Sequence, residues 1–156
     1  MSHLTPELLL GLAPAQAAEI LALGRRLVLS SGAELFHLGD AADNLFLIQR
    51  GRLRLTLPMH VRGQSEEVLV EERVPGQTVG WSALIPPYRF TLTATCPLET
   101  EVVTLSREAL RTHFAAYPEV GQIVCLNLAA VIGERLQLFQ TMWLREMQRT
   151  VELSCA

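Results

Sequence analysis

From Pro118 the chain can run to about Glu152 as a single helix, and that helix limits what the rest can fold into. Pro118 suits a first helical position, and no proline follows it. Leu128, Ile132, Leu136, Phe139, Trp143, Met147 and Val151 step by three or four residues, giving an apolar stripe along the whole length. Val124, Val131, Leu138 and Met142 form a second set to one side. A stripe of some thirty residues spans roughly 45 Å at helical rise. One small domain cannot cover it, so the far end is expected to pack on a second copy. Leu128, Ile132, Leu136, Phe139, Trp143 and Met147 are the expected homodimer interface. The competing reading is a core helix folded back on its own domain.

Before that helix the pattern is one of short strands. Thr5-Pro6-Glu7 reads as the start of a short helix to about Leu12, and Pro14 opens a second that stops near Gly24-Arg25-Arg26. From Leu27 to Leu105, short apolar runs alternate with turn residues. They are Leu27–Leu29, Glu34–Leu38, Asn44–Gln49, Arg52–Leu57, Glu67–Val74, Thr91–Cys96 and Thr100–Leu105, with a hairpin loop at His60–Glu66. Leu53, Leu55 and Leu57 alternate cleanly with Arg52, Arg54 and Thr56. Such strands, with no long helix between them, predict an antiparallel roll or barrel. Ser106 caps a further helix to about His113 or Phe114.

The expected fold is therefore α+β, mainly β: a jelly-roll-like antiparallel β-roll flanked by N-terminal helices and a long C-terminal dimerisation helix. The expected divisions are N-terminal helices at 1–26, the roll at 27–117, the long helix at 118–152 and a tail at 153–156.

Composition narrows the function by exclusion. The net charge of −3 supplies no basic field for nucleic acid, and five residues after Val151 leave no room for a helix-turn-helix, so direct DNA binding is not expected. Cys96, Cys125 and Cys155 are widely spaced, with no zinc-ligand pattern, which suits a reducing cytoplasm. Leu8 to Ala18 has the look of a secretory core, but Pro6-Glu7 stands where a basic segment belongs, and no membrane association is expected. There is no nucleophile elbow, no His-Glu-x-x-His and no phosphate loop ending in Lys, so no enzyme is expected. The pairs Glu66-Glu67 and Glu71-Glu72 read as a solvated strand edge.

Ser31-Gly32-Ala33-Glu34-Leu35-Phe36-His37-Leu38-Gly39-Asp40, then Asp43, then Asn44 to Gly51, resembles the opening strands of the cyclic-nucleotide-binding superfamily. That superfamily includes bacterial catabolite-activator-type regulators. Val74-Pro75-Gly76-Gln77-Thr78-Val79-Gly80 resembles the glycine turn leading into its phosphate cassette. The resemblance implies a stand-alone sensory domain without a DNA-binding domain. Its ligand site would be Gly80, Trp81, Ser82, Ala83, Arg89, Phe90 and Thr91, holding cyclic AMP or cyclic GMP, and no metal is implied. Backbone N–H groups after Gly80 would face the phosphate, with an arginine as counter-charge.

Two positions depart from the family. Its cassette glutamate, which holds the sugar hydroxyl, is here Trp81, whose indole can only donate. The missing bond is worth about 1.5–3 kcal/mol, a ten- to hundredfold loss of affinity. An ungapped count from Gly80 puts Phe90 on the family's arginine position and Arg89 one residue before it. Adjacent strand residues face opposite sides, so the difference is decisive. Two functions follow. One is a cyclic-nucleotide sensor signalling through its dimer helix to another, unidentified protein. The other is a degenerate-pocket dimeric interaction module that binds no cyclic nucleotide, with Trp81, Tyr88 and Phe90 filling the pocket.

Overall fold

The computed structural model describes residues 4–156. Strands β1 (Arg25–Leu29), β2 (Glu34–Phe36), β3 (Asn44–Arg50), β4 (Leu53–Val61), β5 (Gln64–Arg73), β6 (Thr78–Val79), β7 (Thr93–Thr95) and β8 (Thr100–Ser106) form two sheets. Their orders are β1-β8-β3-β6 and β2-β7-β4-β5, with antiparallel pairing throughout. This is the expected roll. In β3, Leu45, Phe46, Leu47 and Ile48 are all buried, so both faces of that strand are covered. The two-residue strand β6 is too short to show a periodicity and was not expected.

The N-terminus is shorter in helix than expected. Glu7–Leu9 is a 3₁₀ turn beginning after Pro6 with no side-chain cap, so Thr5 does not cap it. Helix α1 (Pro14–Ala22) has proline at its first position, and Gln16 accepts the N–H of Ala13 at 2.9 Å. Arg25 and Arg26, expected to close that helix, already belong to β1. Helix α2 (Arg107–Ala116) is capped by Ser106, whose Oγ accepts from Ala109 N at 3.1 Å. Helix α3 (Pro118–Ser154) is the expected long helix.

The β4–β5 hairpin runs further than the sequence suggested and turns tightly at Arg62-Gly63, not through a loop from His60 to Glu66. Thr56 pairs with Leu69 but Leu55 pairs with Glu71, leaving Val70 as an extra, bulged residue. The bulge breaks the alternation on both strands. Leu53, Leu55 and then Thr56 are buried, while Val68 is exposed and Val70 is not.

The inner face of α3 carries Val120, Val124, Leu128 and Val131, all buried, and the first three join the main hydrophobic core. Asn127 Nδ2 donates to Leu8 O and Leu10 O, both at 2.8 Å, fastening α3 to the 3₁₀ turn. By length and composition α3 is also apolar enough to cross a membrane, at a mean hydropathy of 1.3 over 18 residues. Part of that apolarity is spent on the roll.

Candidate functional site: a cradle closed by aromatic stacking

The cradle begins at Gly80, which has φ 82° and could not carry a Cβ without crowding the carbonyl of Asn44 and the rings of Phe46 and Phe90. Trp81–Leu84 follows as one 3₁₀ turn, with Ser82 and Ala83 buried. Gly80, Trp81, Ser82, Phe90 and Thr91 line one small cavity together with Phe36, Leu55, Leu92 and, from α3, Arg135. Ala83 does not line it; its carbonyl accepts Arg107 Nη1 at 3.0 Å.

Arg89 lies outside this group. The loop between Ile85 and Thr91 is pinned by four backbone bonds: Tyr88 N to Ile85 O, Ala42 N to Tyr88 O, Phe90 N to Asp40 O and Gly39 N to Phe90 O, at 2.8–3.0 Å. Arg107 lies over the Tyr88 ring, 4.0 Å from its centroid, and Arg111 donates to Tyr88 Oη. That register turns Phe90 inward and Arg89 outward, where Arg89 Nη1 reaches only the carbonyl of Gly39 at 3.1 Å. The adjacent-residue rule of an extended chain decides the question left open by the sequence.

Phe90 stacks on Phe36, with ring centroids 3.8 Å apart and planes within 7°; Phe46 lies 5.9 Å from Phe36. Phe36 and Phe90 are 8% and 6% exposed. What remains is a cavity of about 10 Å³, enough for roughly one water molecule. Pockets for small-molecule ligands run to about 300–1,000 Å³. The guanidinium on the cavity wall is that of Arg135, on α3.

The sequence reading missed an ionic cluster beside the cavity. Arg135 is 8% exposed, and its Nε and Nη2 donate to Glu71 Oε2 and Oε1 at 3.1 and 3.2 Å. Arg73 Nη1 lies 3.1 Å from Glu71, and its Nη2 bonds to Glu7. Glu7 also accepts Thr78 N–H at 2.8 Å. Glu71 is therefore no part of a solvated edge, because the bulge at Val70 turns it inward. A signal was available in α3, where Arg135 falls on the inner face one turn after Val131.

Of the expected dimer residues, Leu128 is 3% exposed and belongs to the roll's own core; Ile132 and Phe139 are half-buried against it. The reason is that α3 outruns the roll: from Trp143 onward every residue is exposed, whichever side of the helix it lies on. Leu136, Trp143 and Met147 are exposed.

A two-sheet antiparallel roll, a glycine-led cradle and a long C-terminal helix are the architecture of a cyclic-nucleotide-binding-type regulatory module. The chain belongs to the cyclic nucleotide-binding domain family, which matches residues 26–117. It is 28% identical over 127 residues to the cyclic AMP receptor protein of Thermus thermophilus, covering 81% of this chain and 56% of that protein. Among solved structures, the catabolite activator protein of Thermus thermophilus is similar at a TM-score of 0.73 and 27% identity, over 91% of this chain and 63% of that one. A putative cyclic nucleotide-binding protein from Geobacter metallireducens aligns at a TM-score of 0.67 and 26% identity, over 83% of this chain and 91% of that one.

Proposed function

We propose that the chain is a dimeric regulatory module that acts on a protein partner through α3, its own cradle being closed to cyclic AMP and cyclic GMP. The observation that carries this is Phe90, stacked on Phe36 where the cradle needs a cation. The outer face of α3 supports the dimer. Leu136 and Trp143 are exposed and seven residues apart, as are Leu144 and Val151, the spacing of a helix-on-helix seam. Cytoplasmic location without membrane association fits such a module.

A second reading is a cyclic-nucleotide sensor. It is favoured by the 28% identity to a cyclic AMP receptor and by Ser82 and Thr91 on the cavity wall. Titration calorimetry with cyclic AMP, cyclic GMP and cyclic dinucleotides separates the two. No heat is expected at millimolar ligand, whereas micromolar binding of any of them would overturn the first reading. Light scattering should give a dimer for the wild type and a monomer for Trp143→Glu.

A further inference from the structure

Away from the cradle, a hollow of about 480 Å³ lies between the end of α1 and helix α2, and it shares no lining residue with the cradle. Its size falls in the range of small-molecule sites. On α2, Ala109, Thr112, His113 and Ala116 recur at intervals of three and four, so one face of the helix looks onto it, with Leu23 opposite. Short side chains alone would make only a dent. His113 makes it more than that. Its side chain is 10% exposed, yet Nε2 has no hydrogen-bond partner, which is a costly state for a buried polar atom. The Tyr117 ring lies 4.8 Å from the imidazole and supports it. Glu19 precedes Leu23 by four residues on the same side of α1. Its Oε2 stands 3.9 Å from His113 Nε2, beyond hydrogen-bonding range.

A neutral imidazole with its proton on Nδ1 accepts at Nε2, and a carboxylate only accepts. Two acceptors at that separation are the complement of one nitrogen cation set between them, about 2.8–3.0 Å from each. Among the described residues no arginine lines the hollow, and Glu108 adds a second carboxylate. Arg25 and Arg111 border the adjoining hollows and limit the occupant to a short body. We propose that this hollow is a ligand site separate from the cradle and that it takes a small amphipathic primary amine. The ammonium group donates to His113 Nε2 and Glu19 Oε2, and the apolar body lies along Leu23, Ala109 and Ala116. The site stands whether or not the cradle binds a nucleotide, since the two have no residue in common.

The test titrates phenethylammonium chloride into the full chain while NMR follows the imidazole signals of its four histidines. Phenylacetate and phenethyl alcohol are the anionic and neutral controls on the same ring. The His113 signal, identified by its loss in His113→Phe, should move with a dissociation constant of about a millimolar, while those of His37 and His60 stay still. Both controls should bind at least about tenfold more weakly. Glu19→Gln alters a side chain that is 55% exposed and leaves the fold in place. It should weaken the amine by about tenfold and leave the alcohol unchanged. Ala109→Phe fills the hollow and should abolish the shift. Three results overturn the site. One is a His113 signal that does not move at about 10 mM amine. Another is either control binding within about twofold of the amine, which would leave only an apolar dent. The third is Glu19→Gln binding the amine as tightly as wild type.

Discussion

Replacing Phe90 by alanine removes the ring that fills the cradle, and the structure sets the size of the effect. Both partners of the stack are almost fully buried, and the neighbouring cavity is too small to let the surroundings collapse inward. Truncating a packed phenylalanine costs about 3–5 kcal/mol, of which a stacked partner accounts for about 0.5–1.5 kcal/mol. For a chain of this length each kcal/mol lowers Tm by about 2–4 °C, so Phe90→Ala should melt roughly 6–20 °C below wild type. Circular dichroism at one fixed chain concentration is the assay, because dimerisation makes Tm depend on concentration. Urea titration should show a lower midpoint with an unchanged slope. A melting point within about 3 °C of wild type would refute the argument. It would mean that Phe90 is not packed as described and that the cradle stands open. The variant also gains an apolar hole able to take a small hydrophobic molecule, yet cyclic AMP should still not bind, since no guanidinium is released into the site.

Arg89→Ala should leave stability within about 0.5 kcal/mol of wild type by urea titration, since the side chain is exposed and makes one bond to Gly39 O. A large loss, or loss of a nucleotide response, would return Arg89 to the cradle. Leu128→Ala should cost about 2–5 kcal/mol at any protein concentration, being a roll-core truncation. Leu136→Ala should instead change only the concentration at which the dimer dissociates, measured by sedimentation.

Much of the roll was legible because its signals are local. Turn glycines and apolar alternation mark where β3, β4 and β8 lie, and the hydroxyl of Ser106 and the ring of Pro118 mark where α2 and α3 begin. Features that depend on pairing were not legible. The bulge at Val70 arises between strands and appears in one strand only as a lapse in alternation, so Glu71 looked like its solvated neighbours. The cradle was half legible. Trp81 and Phe90 announced trouble for a nucleotide, but the choice between Arg89 and Phe90 turned on backbone bonds from Gly39, Asp40 and Ala42, fifty residues away in sequence. The α3 stripe was legible as an apolar series too long for one roll, but the point where the roll ends depends on the packing of Leu128, Ile132 and Phe139 and was not.

Those same backbone bonds decide how the site could ever be opened. The loop from Ile85 to Thr91 is held at Tyr88 and Phe90 by bonds to the strand-connecting segment and by Arg107 against the Tyr88 ring. Swinging Phe90 out by moving that loop would break those backbone bonds, of which the one from the buried Ala42 N–H would leave its donor unpaired, at about 1–3 kcal/mol. Moving α3 breaks one forked ion pair and also uncovers the apolar side chains of Val131, Ile132 and Phe139. Either motion carries a cost, and the helix also carries the exposed residues of the proposed seam, Leu136 and Trp143. A Leu136→Ala chain, with the Glu71–Arg135 pair intact, should exchange residues 128–135 as slowly as wild type. If weakening the seam alone released that segment, the helix would be held down by its twin and not by Glu71.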